Sequence, residues 1–140
     1  MSRVINPDSA GKERNRLCRC IVLSLRELMK QQETDLKTKD LASYIAISLQ
    51  EINETVDISV AAWEKRGYWV KADRFRMDWE WTGGIGKQME IAILKQDWAK
   101  IAELAVQTGQ KLNKIKVPEH NRLGTPWVGY WNALIEKQEK

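Results

Sequence analysis

The hydrophobic and polar positions of this chain repeat with helical spacing in almost every long segment. Over residues 12–30 the repeat gives a predicted helix two opposed faces. Its apolar face holds Leu17, Cys18, Ile21, Val22, Leu25, Leu28 and Met29. Its other face is a basic stripe, within about 40° of one line, made of Lys12, Arg16, Arg19, Arg26 and Lys30. The pattern predicts one amphipathic helix that follows turn residues and an N-cap at 6–9 and ends at about Gln32.

The middle of the chain predicts two further helical segments with different apolar patterns. The first is capped by Thr38 and buries one stripe, made of Leu41, Ala42, Ile45, Leu49, Ile52 and Val56. Poor helix formers at 55–58 predict a break or bend near Asp57. Residues 59–81 carry two apolar rows, with Gly67 as a point where one helix ends and another begins. These rows are Ala61, Tyr68, Ala72, Phe75 and Trp79, and Val60, Trp63, Val70, Met77 and Trp81. A helix that is apolar on two sides is expected to lie between neighbours.

Glycine, proline and capping residues divide the rest of the chain. Residues 82–86 contain three glycines and predict the clearest break. A short helix at 87–95 and a longer one at 97–115, capped by Asp97, are expected to follow. Residues 116–125 predict a loop, and Thr125 with Pro126 has the order that favours a helix start. The fold class predicted is all-α, a single helical bundle of five or six helices in one domain over residues 1–140.

The basic stripe indicates an anionic partner. Like charges at i,i+4 oppose a helix, and Glu27 is the single acid near the stripe. The stripe is about 27 Å long, which is enough to follow several phosphates, although an idle basic surface has the same pattern. The net charge is +4 and the pI about 9.1. No apolar run is long enough to span a membrane, no secretory signal is seen, and two cysteines one residue apart suit a reducing, cytoplasmic location.

Catalytic and metal-binding patterns are scarce in the sequence. His120 is the single histidine and lies in a predicted loop, far along the chain from Cys18 and Cys20. The run from Gly83 to Lys87 lacks the spacing of a nucleotide-binding phosphate loop, but a glycine-rich turn that opens a helix can still offer backbone N–H groups to a phosphate. We therefore expect no enzymatic activity, no catalytic residue, no metal and no cofactor.

Tryptophan is the second unusual feature, with seven in 140 residues against one phenylalanine. Trp63, Trp79, Trp81 and Trp98 fit core stripes, whereas Trp69 lies on neither apolar row. Cations surround it at Lys65, Arg66, Lys71, Arg74 and Arg76. Cations among aromatic rings are typical of surfaces for single-stranded nucleic acid, but they also arise when basic stems cover a tryptophan-rich core. A third basic face is predicted on the 97–115 helix, at Lys100, Lys111 and Lys114.

The run WEKRGYWVKADRFR at 63–76, together with Trp79-Glu80-Trp81, resembles the small helical subunit of CRISPR RNA-guided effector complexes. The form it most resembles corresponds to the C-terminal helical part of the type I-D large subunit. The resemblance implies a role in antiviral defense as a basic bundle that stacks in several copies beside other subunits. It also implies that the bundle holds the backbone of single-stranded DNA or of the crRNA–target duplex without reading sequence.

Two other functional classes fit parts of the same pattern. One is a protein-interaction bundle whose basic stripes meet an acidic protein. The other is a winged-helix DNA-binding protein, with 38–49 as an early helix and 68–72 as a wing strand. The second class requires a β-hairpin, whereas the short apolar runs of this chain keep helical spacing.

Overall fold

The computed structural model describes the backbone of residues 7–139 and the side chains of residues 9–139. Six helices follow one another: α1 (Pro7–Met29), α2 (Leu36–Lys65), α3 (Trp69–Trp79), α4 (Trp81–Leu94), α5 (Trp98–Lys111) and α6 (Tyr130–Gln138). The described residues contain no strand, so the all-α bundle is confirmed, and the wing strand at 68–72 is wrong because those residues enter α3. None of the described helices is long and apolar enough to cross a membrane.

Helix α2 is the central element, and α1, α3, α4 and α6 pack around it. Its predicted apolar stripe is fully buried, and the core cluster draws side chains from all six helices. A break near Asp57 is wrong, since α2 runs unbroken for 30 residues. Val56 is buried there, and the Thr55 hydroxyl donates to the carbonyl of Ile52 at 2.6 Å. Burial of the inward face, at Thr55, Val56, Ser59 and Val60, therefore outweighs the weak helix propensity of this stretch, although Asp57 itself is exposed.

The predicted break at 82–86 is also wrong, because these residues lie inside α4. A Cβ on Gly86 would lie 3.1 Å from the carbonyl oxygen of Ala46, and one on Gly83 would lie 3.0 Å from Asn53. The glycines therefore allow α4 to pack closely on α2 instead of forming a turn. Residues 82–86 therefore do not form the glycine turn that was expected to present backbone N–H groups to a phosphate.

Several predicted helix ends move by a few residues. Asp35, not Thr38, is the N-cap of α2, and its side chain accepts from the Thr38 N–H at 3.1 Å. Helix α1 ends at Met29, and Ser9 lies inside it, while Asn6 falls outside the described residues. Asp97 caps α5 as predicted, but the helix ends at Lys111. The separate helix at 87–95 is the second part of α4.

The terminal helix α6 begins at Tyr130, not at Thr125 and Pro126. Its cap comes from α2, because the Asp40 carboxylate accepts from the backbone N–H groups of Gly129 at 3.3 Å and Trp131 at 2.9 Å. Gly129 has a φ of 88°, which glycine adopts without strain. The helix start is thus decided by a long-range carboxylate and not by the local cap-then-proline sequence.

A buried carboxylate on α4 holds the other end of α6. Glu90 is 1% exposed and accepts from Lys137 Nζ at 2.6 Å and Gln138 Nε2 at 3.1 Å. Gln50 on α2 and Lys87 complete its shell at 2.9 and 3.1 Å. Burial by itself raises the pKa of Glu90, but the four donors together lower it to about 2. The network joins α2, α4 and α6 through one carboxylate.

Candidate nucleic-acid interface

The turn between α2 and α3 brings basic and aromatic side chains together. Gly67 has a φ of 80°, and its N–H bonds to the carbonyl of Glu64 at 3.0 Å. The Tyr68 N–H bonds to the carbonyl of Trp63 at 2.9 Å, which completes a Schellman ending of α2. The predicted helix end at Gly67 is therefore confirmed. Because α3 starts two residues later, the end of α2 and the start of α3 share one surface.

Lys65, Arg66, Trp69, Lys71 and Arg74 are all solvent-exposed, and we call them the α2–α3 surface. On α3, Arg74 is five residues from Trp69 and projects from the other side of the helix, where it lines a second pocket together with Lys71. The Trp69 side chain is 61% exposed and lines a shallow pocket over residues 67–71. No carboxylate of the described residues lies within ion-pair distance of Lys65, Arg66 or Arg74, and Lys71 Nζ lies 4.7 Å above the ring of Trp63. The surface thus combines uncompensated positive charge with an open aromatic face.

Tyr68 belongs to this surface, although the sequence pattern places it on an apolar row. It is exposed and follows Gly67 directly, so it leaves the helical row where α2 ends. The signal that could have identified it is the glycine itself, because a helix-ending glycine interrupts the periodicity on which the row depends. Arg76, in contrast, is compensated by Glu64 at 3.2 Å and Asp73 at 2.9 Å.

Beneath the surface lies an aromatic layer. Trp63, Trp79 and Trp81 are half-buried against the core, as is Trp98 on α5, in agreement with the prediction. Phe75 meets Trp63 edge-on with a centroid separation of 4.8 Å. The buried guanidinium of Arg14 lies 4.7 Å from the Phe75 centroid and donates to the carbonyl of Thr55 at 3.1 Å and Ser59 Oγ at 2.7 Å. Burial lowers the pKa of Arg14. This layer fixes the position of α3 and with it the exposed side chains.

The basic stripe of α1 is interrupted by the loop that connects α5 to α6. Leu23 is four residues from Arg19 and seven from both Arg16 and Lys30, so it lies on the line of the stripe, yet it is only 8% exposed. Close to it, Arg26 donates to the carbonyl of Val117 in this loop. Lys12, Arg16 and Arg19 remain exposed before the crossing, and we call them the α1 face.

The structure places the predicted cations on three separate surfaces: the α2–α3 surface, the α1 face and the region around the ends of α1 and α5. The α1 face is separate from the α2–α3 surface because Arg14 points from α1 toward α3. Lys12 and Arg19 are two and five residues from Arg14 and so project from the opposite side of the helix. Lys30, Lys111 and Lys114 are exposed near the ends of α1 and α5, and none of them lines the apolar groove between these two helices. The loop adds exposed cations that the sequence pattern did not single out, Lys116 and Arg122.

Ion pairs compensate several of the predicted cations. Arg16 pairs with Glu13 at 2.7 Å, and the hydrogen bonds from Arg16 to Glu13 raise the pKa of Arg16. Lys30 pairs with Glu27 at 3.1 Å, and Lys100 pairs with Glu103 at 3.5 Å. Lys12, Arg19, Lys111 and Lys114 have no carboxylate partner among residues 9–139.

The cysteines and the histidine lie apart. Cys18 and Cys20 are buried in α1, while His120 is exposed in the loop after α5. Burial raises the pKa of the Cys18 thiol to about 11, with Arg14 opposing that shift, so the thiol stays protonated near neutral pH. Over the described residues no three His, Cys, Asp or Glu side chains form a group that could hold a metal ion.

Comparison with protein-family models, with curated proteins and with solved structures gives no significant match to this chain. Its function is therefore inferred from the chemistry of these surfaces.

Proposed function

We propose that this chain is a non-catalytic nucleic-acid-binding subunit that holds the phosphate backbone without reading base sequence. The observation that supports the proposal most is the exposed indole of Trp69 on the α2–α3 turn, next to the exposed Lys65 and Arg66, which have no carboxylate partner in the described chain. Cations attract phosphates regardless of sequence, and an indole stacks on any unpaired base. The α2–α3 surface contains no Asn or Gln arranged for bidentate contact with a base edge. A single strand is therefore the preferred ligand of this surface.

The resemblance to CRISPR small subunits extends this proposal to an assembly. We place the chain in a cytoplasmic RNA-guided effector complex, where it contacts other subunits and copies of itself and holds the target or displaced strand. The all-helical bundle and the separate basic surfaces support this placement. So does the second apolar row of α3, because Met77 is 70% exposed and Val70 is exposed beside it. A partner that covers these positions would remove apolar surface from water.

Fluorescence anisotropy with a labelled single-stranded oligonucleotide, measured over a range of salt concentrations, tests the proposal. Arg66→Gln with Arg74→Gln is expected to lower the log–log salt slope by about 0.7 for each phosphate that the surface no longer neutralises. The matched control is Lys37→Gln with Lys95→Gln, which removes the same charge from two other exposed positions. An equal slope change in both double variants would refute a localised site.

The stacking role of Trp69 has its own control. Trp69→Ala is expected to weaken binding by about tenfold, the effect of losing one stacked base. Met77→Ala removes a similarly exposed apolar side chain from the same helix and is expected to leave affinity unchanged. Equal losses in the two variants would contradict stacking, because they would indicate a general apolar contribution.

A further inference from the structure

The second pocket of α3 contains a carboxylate beside its cations. Asp78 lines this pocket of about 460 Å³ together with Lys71 and Arg74. The rest of the lining is apolar and consists of Trp63, Val70 and Phe75. We propose that the pocket binds a ribose of single-stranded RNA and that Asp78 accepts a hydrogen bond from the ribose 2′-hydroxyl. This inference rests on the proposed function and adds to it a preference for RNA over DNA.

The charges that line the pocket are not neutralised by one another. Arg74 and Asp78 are four residues apart, which is the usual spacing of ion pairs on a helix. Neither side chain takes part in an ion pair within the described chain, and both are exposed. Asp73, in contrast, is paired with Arg76 at 2.9 Å. Arg74 is therefore open to a phosphate, and Asp78 is open to a hydrogen-bond donor.

The chemistry of a nucleic-acid strand decides which donor Asp78 can meet. An ionised carboxylate accepts hydrogen bonds and donates none. Phosphate oxygens are also acceptors with negative charge, so Asp78 would repel them. The donors that a single strand offers are the N–H groups of its bases, which depend on sequence, and the ribose 2′-hydroxyl, which every RNA nucleotide carries. Because the proposed surface does not read bases, the 2′-hydroxyl is the donor that fits, and DNA lacks it.

The other parts of the pocket suit the groups next to a 2′-hydroxyl. Lys71 and Arg74 precede Asp78 by seven and four residues, about 10 and 6 Å along the helix axis. The cations therefore lie on one side of the carboxylate, where they can hold the phosphates of the same strand. The two aromatic rings of the pocket are half-buried and form an apolar floor for a sugar or a base.

The second pocket adjoins the pocket beside Trp69. Val70 and Lys71 line both of them. A strand whose base stacks on Trp69 can therefore pass Lys71 and place the sugar of a later nucleotide at Asp78. The stacking site and the ribose site would then belong to one path for a single strand.

Fluorescence anisotropy with the full chain and two strands of one base, oligouridine RNA and oligodeoxyuridine DNA, tests the proposal. The RNA is expected to bind about tenfold more tightly, the effect of one hydrogen bond to a charged group. A third strand, 2′-fluoro RNA, keeps a substituent of similar size but removes the donor, so it should bind as the DNA does. Equal binding of RNA and DNA, or 2′-fluoro RNA that binds as tightly as RNA, would overturn the proposal.

A single substitution locates the preference. Asp78→Ala removes both the acceptor and the repulsion of phosphate, so the preference for RNA should disappear. The matched control is Asp73→Ala, which removes the same charge from α3 five residues away and should keep the preference. Both positions are exposed and alanine is a strong helix former, so both variants should stay folded. Loss of the preference in both variants, or in neither, would overturn the assignment.

Oligocytidine strands separate a carboxylate that meets the sugar from one that meets a base. Cytosine carries an amino group that uracil lacks. A preference for cytosine that is independent of the sugar and lost in Asp78→Ala would place the carboxylate on a base edge and overturn the proposal.

The same measurements distinguish failure of this inference from failure of the proposed function. RNA and DNA that bind equally, with a salt slope that Arg66→Gln with Arg74→Gln still lowers, would refute this inference alone. Absence of binding by every strand would refute the proposed function together with it.

Discussion

Gly86 and Gly84 lie two residues apart in α4 but face different surroundings, and this predicts opposite effects of alanine. A Cβ at Gly86 would lie 2.9 Å from Gln50 Cγ, 3.1 Å from the Ala46 carbonyl oxygen and 3.1 Å from Leu49 Cβ. Two of these atoms belong to the backbone or the first side-chain carbon of α2, so they cannot move without moving the helix. At Gly84 the same Cβ would meet nothing within 4 Å.

The magnitudes follow from two competing terms. Alanine gains about 1 kcal/mol over glycine in a helix interior, whereas overpacking costs about 1–3 kcal/mol. The difference between the two terms is a loss of about 0–2 kcal/mol, and because the contacts at Gly86 are rigid we expect Gly86→Ala to lower the free energy of unfolding by an amount near the upper end of that range. Gly84→Ala should raise it by up to about 1 kcal/mol.

Urea and thermal unfolding followed by far-UV circular dichroism measure the difference between the two variants. At this chain length 1 kcal/mol corresponds to about 3 °C in Tm, so the two variants should differ clearly in midpoint. If Gly86→Ala stabilised the protein as much as Gly84→Ala, α4 would not approach α2 this closely, and the packing role of the 82–86 glycines would be refuted.

Three further predictions concern buried charge and the α1 face. Arg14 is buried without a carboxylate partner in the described chain, so Arg14→Met is expected to change the free energy of unfolding by less than about 1 kcal/mol. Arg14→Ala leaves a cavity beside the aromatic layer and should cost about 2–4 kcal/mol. A larger loss in the methionine variant than in the alanine variant, measured by urea unfolding, would contradict this. The pKa of Glu90 is about 2 in the folded chain, below its ordinary value of 4.5. The stability that the Glu90 carboxylate contributes is therefore complete above pH 4.5 and is lost as the pH falls toward 2. Glu90→Gln should flatten this part of the curve of unfolding free energy against pH, and a variant whose stability fell as steeply as that of the wild type would refute the network. Lys12→Gln with Arg19→Gln should lower the oligonucleotide salt slope by about 0.7 for each phosphate no longer neutralised, while a retained slope would indicate that the α1 face does not meet phosphate.

Local chemistry predicted the elements that local contacts decide. The Asp97 side chain caps α5 by accepting from the backbone N–H of Lys100, three residues further on. Gly67 ends α2 by adopting a positive φ that other residues disfavour. The breaks expected near Asp57 and at 82–86 were wrong for one shared reason. Propensity describes the isolated segment, whereas α2 and α4 stay helical because they pack against each other, which sequence pattern does not reveal.

The candidate site shows the same division between local pattern and tertiary contact. Trp69 lies off both apolar rows, and it is exposed as that position indicates. Val70 and Met77 lie on an apolar row and are exposed as well, whereas Val60 of the same row is buried and Trp63 and Trp81 pack against the core. The row is thus only partly covered within the described chain, and periodicity cannot distinguish a core face from a docking face.

The interruption of the α1 stripe depends on a contact that no helical projection contains. Arg26 and the Val117 carbonyl to which it donates are separated by 91 residues. The buried Leu23 also lies on the line of the stripe, between Arg19 and Arg26. The stripe is therefore divided, with Lys12, Arg16 and Arg19 exposed on one side and Lys30, paired with Glu27, exposed on the other. A helical projection identifies which side chains share a line, whereas contacts made by later segments of the chain decide how much of that line stays open to a ligand.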